Sequence, residues 1–281
     1  MSKPAKFWDE KEDKHVSCSL CPHNCYIAEN SKGICNVREN KAGMLYAVNY
    51  GRVSALHLDP IEKKPLRRFY PRSMILSVGG FGCNFHCSFC QNFAISLQYD
   101  EKEDGEMMTP ADIVALAKQT QERGNIGVAY TYNEPLIGYE FVYDCAKLVH
   151  QAKLKNVVVT NGYLNPEPLL EILPFIDAMN IDLKAFSAKF YQKIGGDLEA
   201  VKNTIITAAK HCHVEVTTLI IPDENEADIE ELAKWLASID PSIPLHLSRF
   251  YPRYLYQDKP QTSAASIKKA AQTAAKYLND V

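Results

Sequence analysis

Three cysteines, Cys83, Cys87 and Cys90, stand in the run Gly82-Cys83-Asn84-Phe85-His86-Cys87-Ser88-Phe89-Cys90-Gln91-Asn92. This C-x3-C-x2-C loop directly follows an apolar run, 74–78, that reads as a strand. Protein-held [4Fe–4S] clusters ordinarily take four thiolates. Three closely spaced thiolates can grip three irons of such a cube and leave the fourth open. An open position on a metal is where chemistry happens rather than where structure is pinned. A structural zinc loop is the competing reading. Zinc sites usually pair two CxxC-like knuckles, and the triplet needs no second knuckle to explain it.

A second set of cysteines lies near the N-terminus, in Cys18-Ser19-Leu20-Cys21-Pro22-His23-Asn24-Cys25 and then Cys35. Four thiolates at C-x2-C-x3-C-x9-C can close an all-thiolate zinc site or hold an auxiliary [4Fe–4S] cluster. His23 could replace one cysteine. Both metals stay open at this stage. Cys145 and Cys212 stand alone and read as small buried hydrophobes.

Elements must position these loops. From about residue 73 onward, apolar β-rich runs alternate with helical patterns. The strands are 74–78, 126–131, 156–160, 179–183, 214–221 and 245–250. Thr109-Pro110-Ala111-Asp112 supplies an N-cap, a proline at the first helical position and an acid in the first turn; Gly124 ends that helix. Asn165-Pro166 opens a second helix in the same way. Asn225 with Asp228 opens a third, with Ile229, Leu232, Trp235 and Leu236 on one face. A last helix is expected over 263–278.

Such alternation implies a parallel sheet with right-handed crossovers. Six βα units predict an α/β fold, a partial (β/α)6 barrel with its site at the C-terminal strand ends. Residues 71–281 form this core in our reading. Residues 1–70 read as a small cysteine-rich subdomain with a hairpin, 44–50 against 53–58. The acidic stretch 100–106 reads as a solvated loop.

The strand ends carry polar groups: Tyr130-Thr131-Tyr132-Asn133-Glu134-Pro135, Thr160-Asn161-Gly162-Tyr163, Asp182-Leu183-Lys184, and Ser248-Arg249-Phe250-Tyr251. Polar groups converging in an apolar barrel mouth match a small-molecule site. Arg249 and Tyr251 either face substrate or stabilise a loop. Lys63 and Lys64 either bind an anion or solvate a surface. His211 and His213 flank Cys212 with Glu215 close by, and read as surface histidines rather than metal ligands.

The triplet, with Phe89 directly before its last cysteine, resembles the radical S-adenosylmethionine (SAM) superfamily. The resemblance implies a [4Fe–4S] cluster whose open iron is chelated by SAM. It also implies reductive cleavage to a 5′-deoxyadenosyl radical that abstracts hydrogen. Thr160-Asn161-Gly162 and Asp182-Leu183-Lys184 resemble motifs of the activating-enzyme branch, relatives of pyruvate formate-lyase activating enzyme. By that match Asp182 accepts from the SAM ammonium, Lys184 pairs with its carboxylate, Phe89 lies beside the adenine and Asn161 near the ribose. Two departures stand out. The family's Gly-Gly-Glu-Pro is here Tyr132-Asn133-Glu134-Pro135, which keeps Glu134 and puts Asn133 near the ammonium. Val159 replaces the acid that opens the family's Asp-Thr-Asn-Gly.

Cysteines placed before the triplet, with Asp59-Pro60-Ile61-Glu62-Lys63-Lys64-Pro65-Leu66 and Asn133-Glu134-Pro135, resemble the radical SAM enzyme of the AmmeMemoRadiSam system. That resemblance runs from about Cys18 to about Tyr254. It implies Memo-type and AMMECR-type proteins as partners, beside an external electron donor such as ferredoxin or flavodoxin.

Composition narrows the remaining classes. The chain has 281 residues, 46% hydrophobic and 23% charged, with a formal charge of −3. With a pI of about 6.3, this argues against a nucleic-acid partner bound mainly by charge. Residues 1–14 lack the apolar core of a signal peptide, and no apolar run approaches a membrane span. A cytoplasmic protein is expected, and its nine cysteines are expected to bind metal or stay reduced. The leading function is a radical SAM oxidoreductase acting on a protein or a small molecule. A glycyl-radical-enzyme activase proper is an alternative within that class. A metal-binding scaffold with a non-cleaving SAM site is the alternative outside it.

Overall fold

The computed structural model describes residues 2–100 and 105–281. Seven strands form one curled sheet. They are β1 (Ala55–Pro60), β2 (Met74–Gly79), β3 (Asn125–Thr131), β4 (Lys155–Thr160), β5 (Ala178–Asp182), β6 (His213–Ile220) and β7 (Leu245–Arg249). Their spatial order follows the chain, and β2 to β7 are parallel. Helices cover one face and the other closes on itself, so the strands are buried on both sides. This is why runs such as Val157-Val158-Val159 read as continuous apolar stretches.

All six strands expected from the sequence are present as the parallel part of this sheet. The seventh, β1, was expected to form a hairpin with 44–50. It instead pairs antiparallel with β2 at the sheet edge, with Leu56 opposite Val78 and Asp59 opposite Ile75. The hairpin partner of Met44–Ala47 is Arg38–Lys41. The tight turn is at Ala42-Gly43, both in the left-handed region, rather than at Gly51. Alternation alone did not say which of two neighbouring strands would pair. Within the acidic stretch 100–106, residues 101–104 lie outside the described residues. Glu106–Met107 form a short strand against Arg52–Val53, not a loop.

Helix starts follow their chemistry in part. Thr109 and Asp112 form a reciprocal capping box at the start of Pro110–Gln119. Asn165 precedes helix Pro166–Ile172 but does not cap it; its amide donates to Ser19 O at 2.8 Å. Asn225 is likewise no cap. Its side chain accepts from Ile221 N and donates to the Lys184 carbonyl, tying the end of β6 to the end of β5. The last helix spans Ala264–Ala274, capped by Ser263.

The segment after β1 plugs the bottom of the barrel. Ile61, Leu66 and Phe69 pack on Ile75, Ala129, Val157 and Ala178, residues of β2 to β5. Asn180 donates to Pro65 O at 2.8 Å, and the buried Glu215 carboxylate accepts from the amides of Arg67 and Arg68. With its floor filled, the barrel opens at the ends where the strands deliver their polar residues. Val16, Leu20, Ile27 and Leu45 from the N-terminal segment share one core cluster with the barrel.

Candidate active site

The cysteine loop leaves β2 through Gly79-Gly80 and is pinned by its aromatics. Phe85 is buried against Tyr163 and Tyr191, with ring centroids 5.0 and 6.0 Å away. His86 N donates to Ile194 O, and Cys90 N closes a turn onto Cys87 O. Phe85 N reaches Cys83 Sγ at 3.4 Å. These bonds hold three sulfurs against one cavity of about 340 Å³ at the top of the barrel. Burial pushes the Cys83 thiol well up and the Cys87 thiol up to about 12. Among the described residues, no three His, Cys, Asp or Glu side chains are gathered as they stand into a single-ion site.

All nine residues assigned to this site from the sequence line the same cavity: Cys83, Cys87, Cys90, Phe89, Asn133, Glu134, Asn161, Asp182 and Lys184. Asp182 and Lys184 project from the end of β5 and pair at 2.6 Å. Burial opposes the Lys184 charge, but Asp182 more than offsets it and holds the ammonium above its usual pKa. Phe89 is buried between Phe190 and Tyr256, with centroids 6.0 Å from each. Val159 and Leu219 add apolar wall.

Three of the nine also tie the strand-end loops together. Glu134 Oε1 accepts from Thr160 Oγ1 and Leu136 N, and its Oε2 from Asn161 N at 2.7 Å. Burial pushes this carboxyl up to about 7, against the pull of those bonds. Asn161 Nδ2 donates to Asn84 Oδ1 at 2.8 Å and reaches Cys83 Sγ at 3.8 Å. Asn133 accepts from Gly80 N and donates to Gly82 O, both at 3.0 Å. The side chain that departs from the glycine pattern thus braces the cysteine loop.

Sequence reasoning missed a buried cluster beside the cysteines. Lys64 reads from the sequence as an anion binder or a surface lysine, yet it is 2% exposed and bonds Asp59 Oδ2 at 3.0 Å. Tyr132 donates to the same oxygen at 2.7 Å, and the Lys64 ammonium lies 4.6 Å from the Tyr132 ring centroid. Tyr132 has φ +75°, a strained value for a residue with a bulky side chain. Lys63, Lys64 and Tyr132 line both the main cavity and a wider cleft with His57, Asp59 and Arg123. The available signal was Asp59 five residues before Lys64, a spacing whose meaning depends on the turn at Ile61–Lys63.

The other candidates sit elsewhere. Arg249 Nε donates to Thr262 O, a loop-holding bond, and Tyr251 is exposed. His211 is exposed, as expected, but His213 is half-buried and bonds Glu215 at 2.8 Å; His246 bonds the same carboxylate at 2.6 Å, so both belong to the barrel floor. Cys145 is fully buried. At the N-terminus Cys18, Cys21, Cys25 and Cys35 line one small cavity with His23 and Arg38. His23 Nε2 is 2.7 Å from Asn84 O, inside the Cys83–Cys90 loop. Among the described residues no helix is long and apolar enough to cross a membrane.

The donor set suits a three-thiolate cluster and a zwitterionic ligand, since three sulfurs and an acid–base pair share one cavity. Comparison with known proteins agrees. A family model described as the Radical SAM superfamily matches residues 77–236. Uncharacterized protein MJ0808 of Methanocaldococcus jannaschii is 42% identical over 279 residues, 97% of this chain and 81% of that protein. The 4-hydroxyphenylacetate decarboxylase activating enzyme of Clostridium scatologenes is 30% identical over 102 residues, 36% of this chain and 31% of that one. Among solved structures, Streptococcus suis SuiB bound to precursor peptide SuiA superposes with a TM-score of 0.55 at 16% identity. It covers 69% of this chain and 43% of that one. TYW1 with a lysine-pyruvate adduct gives 0.50 at 18% identity, over 72% and 74% of the two chains. The chain belongs to the radical SAM superfamily.

Proposed function

We propose that this protein is an enzyme that holds a [4Fe–4S] cluster on Cys83, Cys87 and Cys90 and binds SAM beside it. When bound, these groups supply a 5′-deoxyadenosyl radical by one-electron cleavage of the sulfonium, and the radical abstracts hydrogen from a substrate. The observation that carries this reading is the single cavity shared by the three sulfurs and the Asp182–Lys184 pair. In this reading Asp182 accepts from the ligand's ammonium and Lys184 pairs with its carboxylate, so an α-amino acid end satisfies both. Phe89 offers an apolar face for a base, and Asn161 offers polar atoms near it. The filled floor and the apolar walls keep water and stray hydrogen donors away from the reacting carbon.

The partner branch rests on resemblance. The cysteines before the triplet and Asn133-Glu134-Pro135 favour the AmmeMemoRadiSam radical SAM enzyme, with Memo-type and AMMECR-type proteins and a ferredoxin or flavodoxin as partners. The partial similarity to an activating enzyme supports a second reading, an activase that acts on a protein. Electron paramagnetic resonance of the reduced, reconstituted protein tests SAM binding at the cluster. Added SAM should shift the cluster signal in wild type and not in an Asp182→Ala/Lys184→Ala variant. An unchanged wild-type signal would contradict the proposal.

A further inference from the structure

The four N-terminal cysteines form a built site. They line one cavity with His23 and Arg38, and their loop is fixed by Cys18 N donating to Cys25 O and Gly33 N to Arg38 O, both at 2.9 Å. Arg38, 2% exposed, lies beside Cys18 and Cys35 and is anchored to Glu140 at 3.0 Å. Its Nε has no hydrogen-bond partner among the described residues, although it is buried. A buried donor without an acceptor points to an anionic group that belongs there.

The spacing of the sulfurs bears on which group. A zinc ion draws its thiolates to about 2.3 Å, yet among the described residues no three His, Cys, Asp or Glu side chains are gathered closely enough to share one ion. The four cysteines instead line one cavity, as Cys83, Cys87 and Cys90 do at the barrel mouth. That arrangement suits a cluster, whose four irons each take one thiolate.

The site also touches the catalytic loop. Asn84, between Cys83 and Cys87, is tied to the N-terminal loop through its backbone O, 2.7 Å from His23 Nε2. Its Oδ1 accepts from Asn161, whose Nδ2 reaches Cys83 Sγ. A Cβ on Gly82 would fall 2.8 Å from Cys35 O, so the two loops are in backbone contact.

We infer that Cys18, Cys21, Cys25 and Cys35 hold a second [4Fe–4S] cluster that passes electrons to the catalytic one through Asn84 and Asn161. The electron count is simple. A low-potential iron–sulfur or flavin protein gives one electron to the N-terminal cluster, which is reoxidised as the catalytic cluster is reduced by one. No atom moves. The electron route rests on the proposed function; the identity of the second cluster does not.

A Cys83→Ala/Cys87→Ala/Cys90→Ala variant, reconstituted anaerobically, isolates the second site. It should bind about four irons and about four sulfides. About one zinc and no iron would overturn the assignment. Should that variant not fold, wild type decides: about eight irons support the inference, and about four with one zinc overturn it. Electron paramagnetic resonance tests the contact. Reduced wild type should show signals broadened by coupling, relative to the sum of the triple variant and a Cys18→Ala/Cys21→Ala/Cys25→Ala/Cys35→Ala variant. A simple sum would overturn the electron route. Loss of SAM cleavage alone would leave both results unchanged.

Discussion

Lys184 Nζ sits 2.6 Å from Asp182 Oδ2 at the mouth of the barrel. Asp182 is the last residue of β5, and Lys184 follows two residues on, just past the strand end. A ligand carrying an ammonium and a carboxylate can satisfy each with its own opposite charge. Lys184→Met should weaken SAM binding to the reconstituted protein by about 10- to 100-fold, the loss of a charge-assisted bond of about 1.5–3 kcal/mol. Calorimetric titration checks this. Unchanged affinity would remove Lys184 from the SAM site.

Asp59 is the hub of the neighbouring cluster. Lys63, Lys64 and Tyr132 all bond its carboxylate. Asp59→Ala strands the buried Lys64 ammonium and should cost about 3–5 kcal/mol. Tyr132→Phe removes one bond and should cost about 1 kcal/mol. Chemical denaturation of the two variants should give that order. A larger loss for Tyr132→Phe would contradict the hub.

Glu215 makes the barrel floor sensitive to acid. Burial opposes its ionisation, but bonds from His213, His246, Arg67 N and Arg68 N more than offset it. Its folded pKa therefore lies below the unfolded value of about 4.3. The stability this provides is complete above that value and is lost as pH falls toward the folded pKa. Glu215→Gln should lower Tm at pH 7 and flatten the decline of Tm below about pH 4.3. A variant with the wild-type acid slope would contradict the assignment.

Gly82 joins the two cysteine loops. It has φ +89°, and a Cβ there would lie 2.7 Å from Val37 Cγ1 and 2.8 Å from Cys35 O. Gly82→Ala adds backbone strain of about 1–3 kcal/mol and a clash with a carbonyl. It should lower both Tm and iron content after reconstitution. Wild-type values for both would show that the loops are not locked together here.

The parallel strands and the N-cap at Thr109 were legible because local pattern and final environment agree. The nine cavity residues were legible because each follows a strand end, where this architecture gathers polar groups. Pairing of β1 was not legible. Residues 55–60 alternate equally well as a hairpin arm or as a sheet edge, and only the long-range contact with β2 decides. Lys64 was misread because composition says lysine is exposed, while its burial depends on Asp59 and Tyr132, 73 residues apart in sequence. The role of Glu215 was hidden for the same reason: its partners come from three separate segments.

The most direct measurement is chromatographic detection of 5′-deoxyadenosine after the reconstituted, dithionite-reduced protein is incubated with SAM without oxygen. The account predicts 5′-deoxyadenosine and methionine from wild type and neither from Cys87→Ala. No product from a fully loaded wild type, or undiminished product from Cys87→Ala, would contradict it.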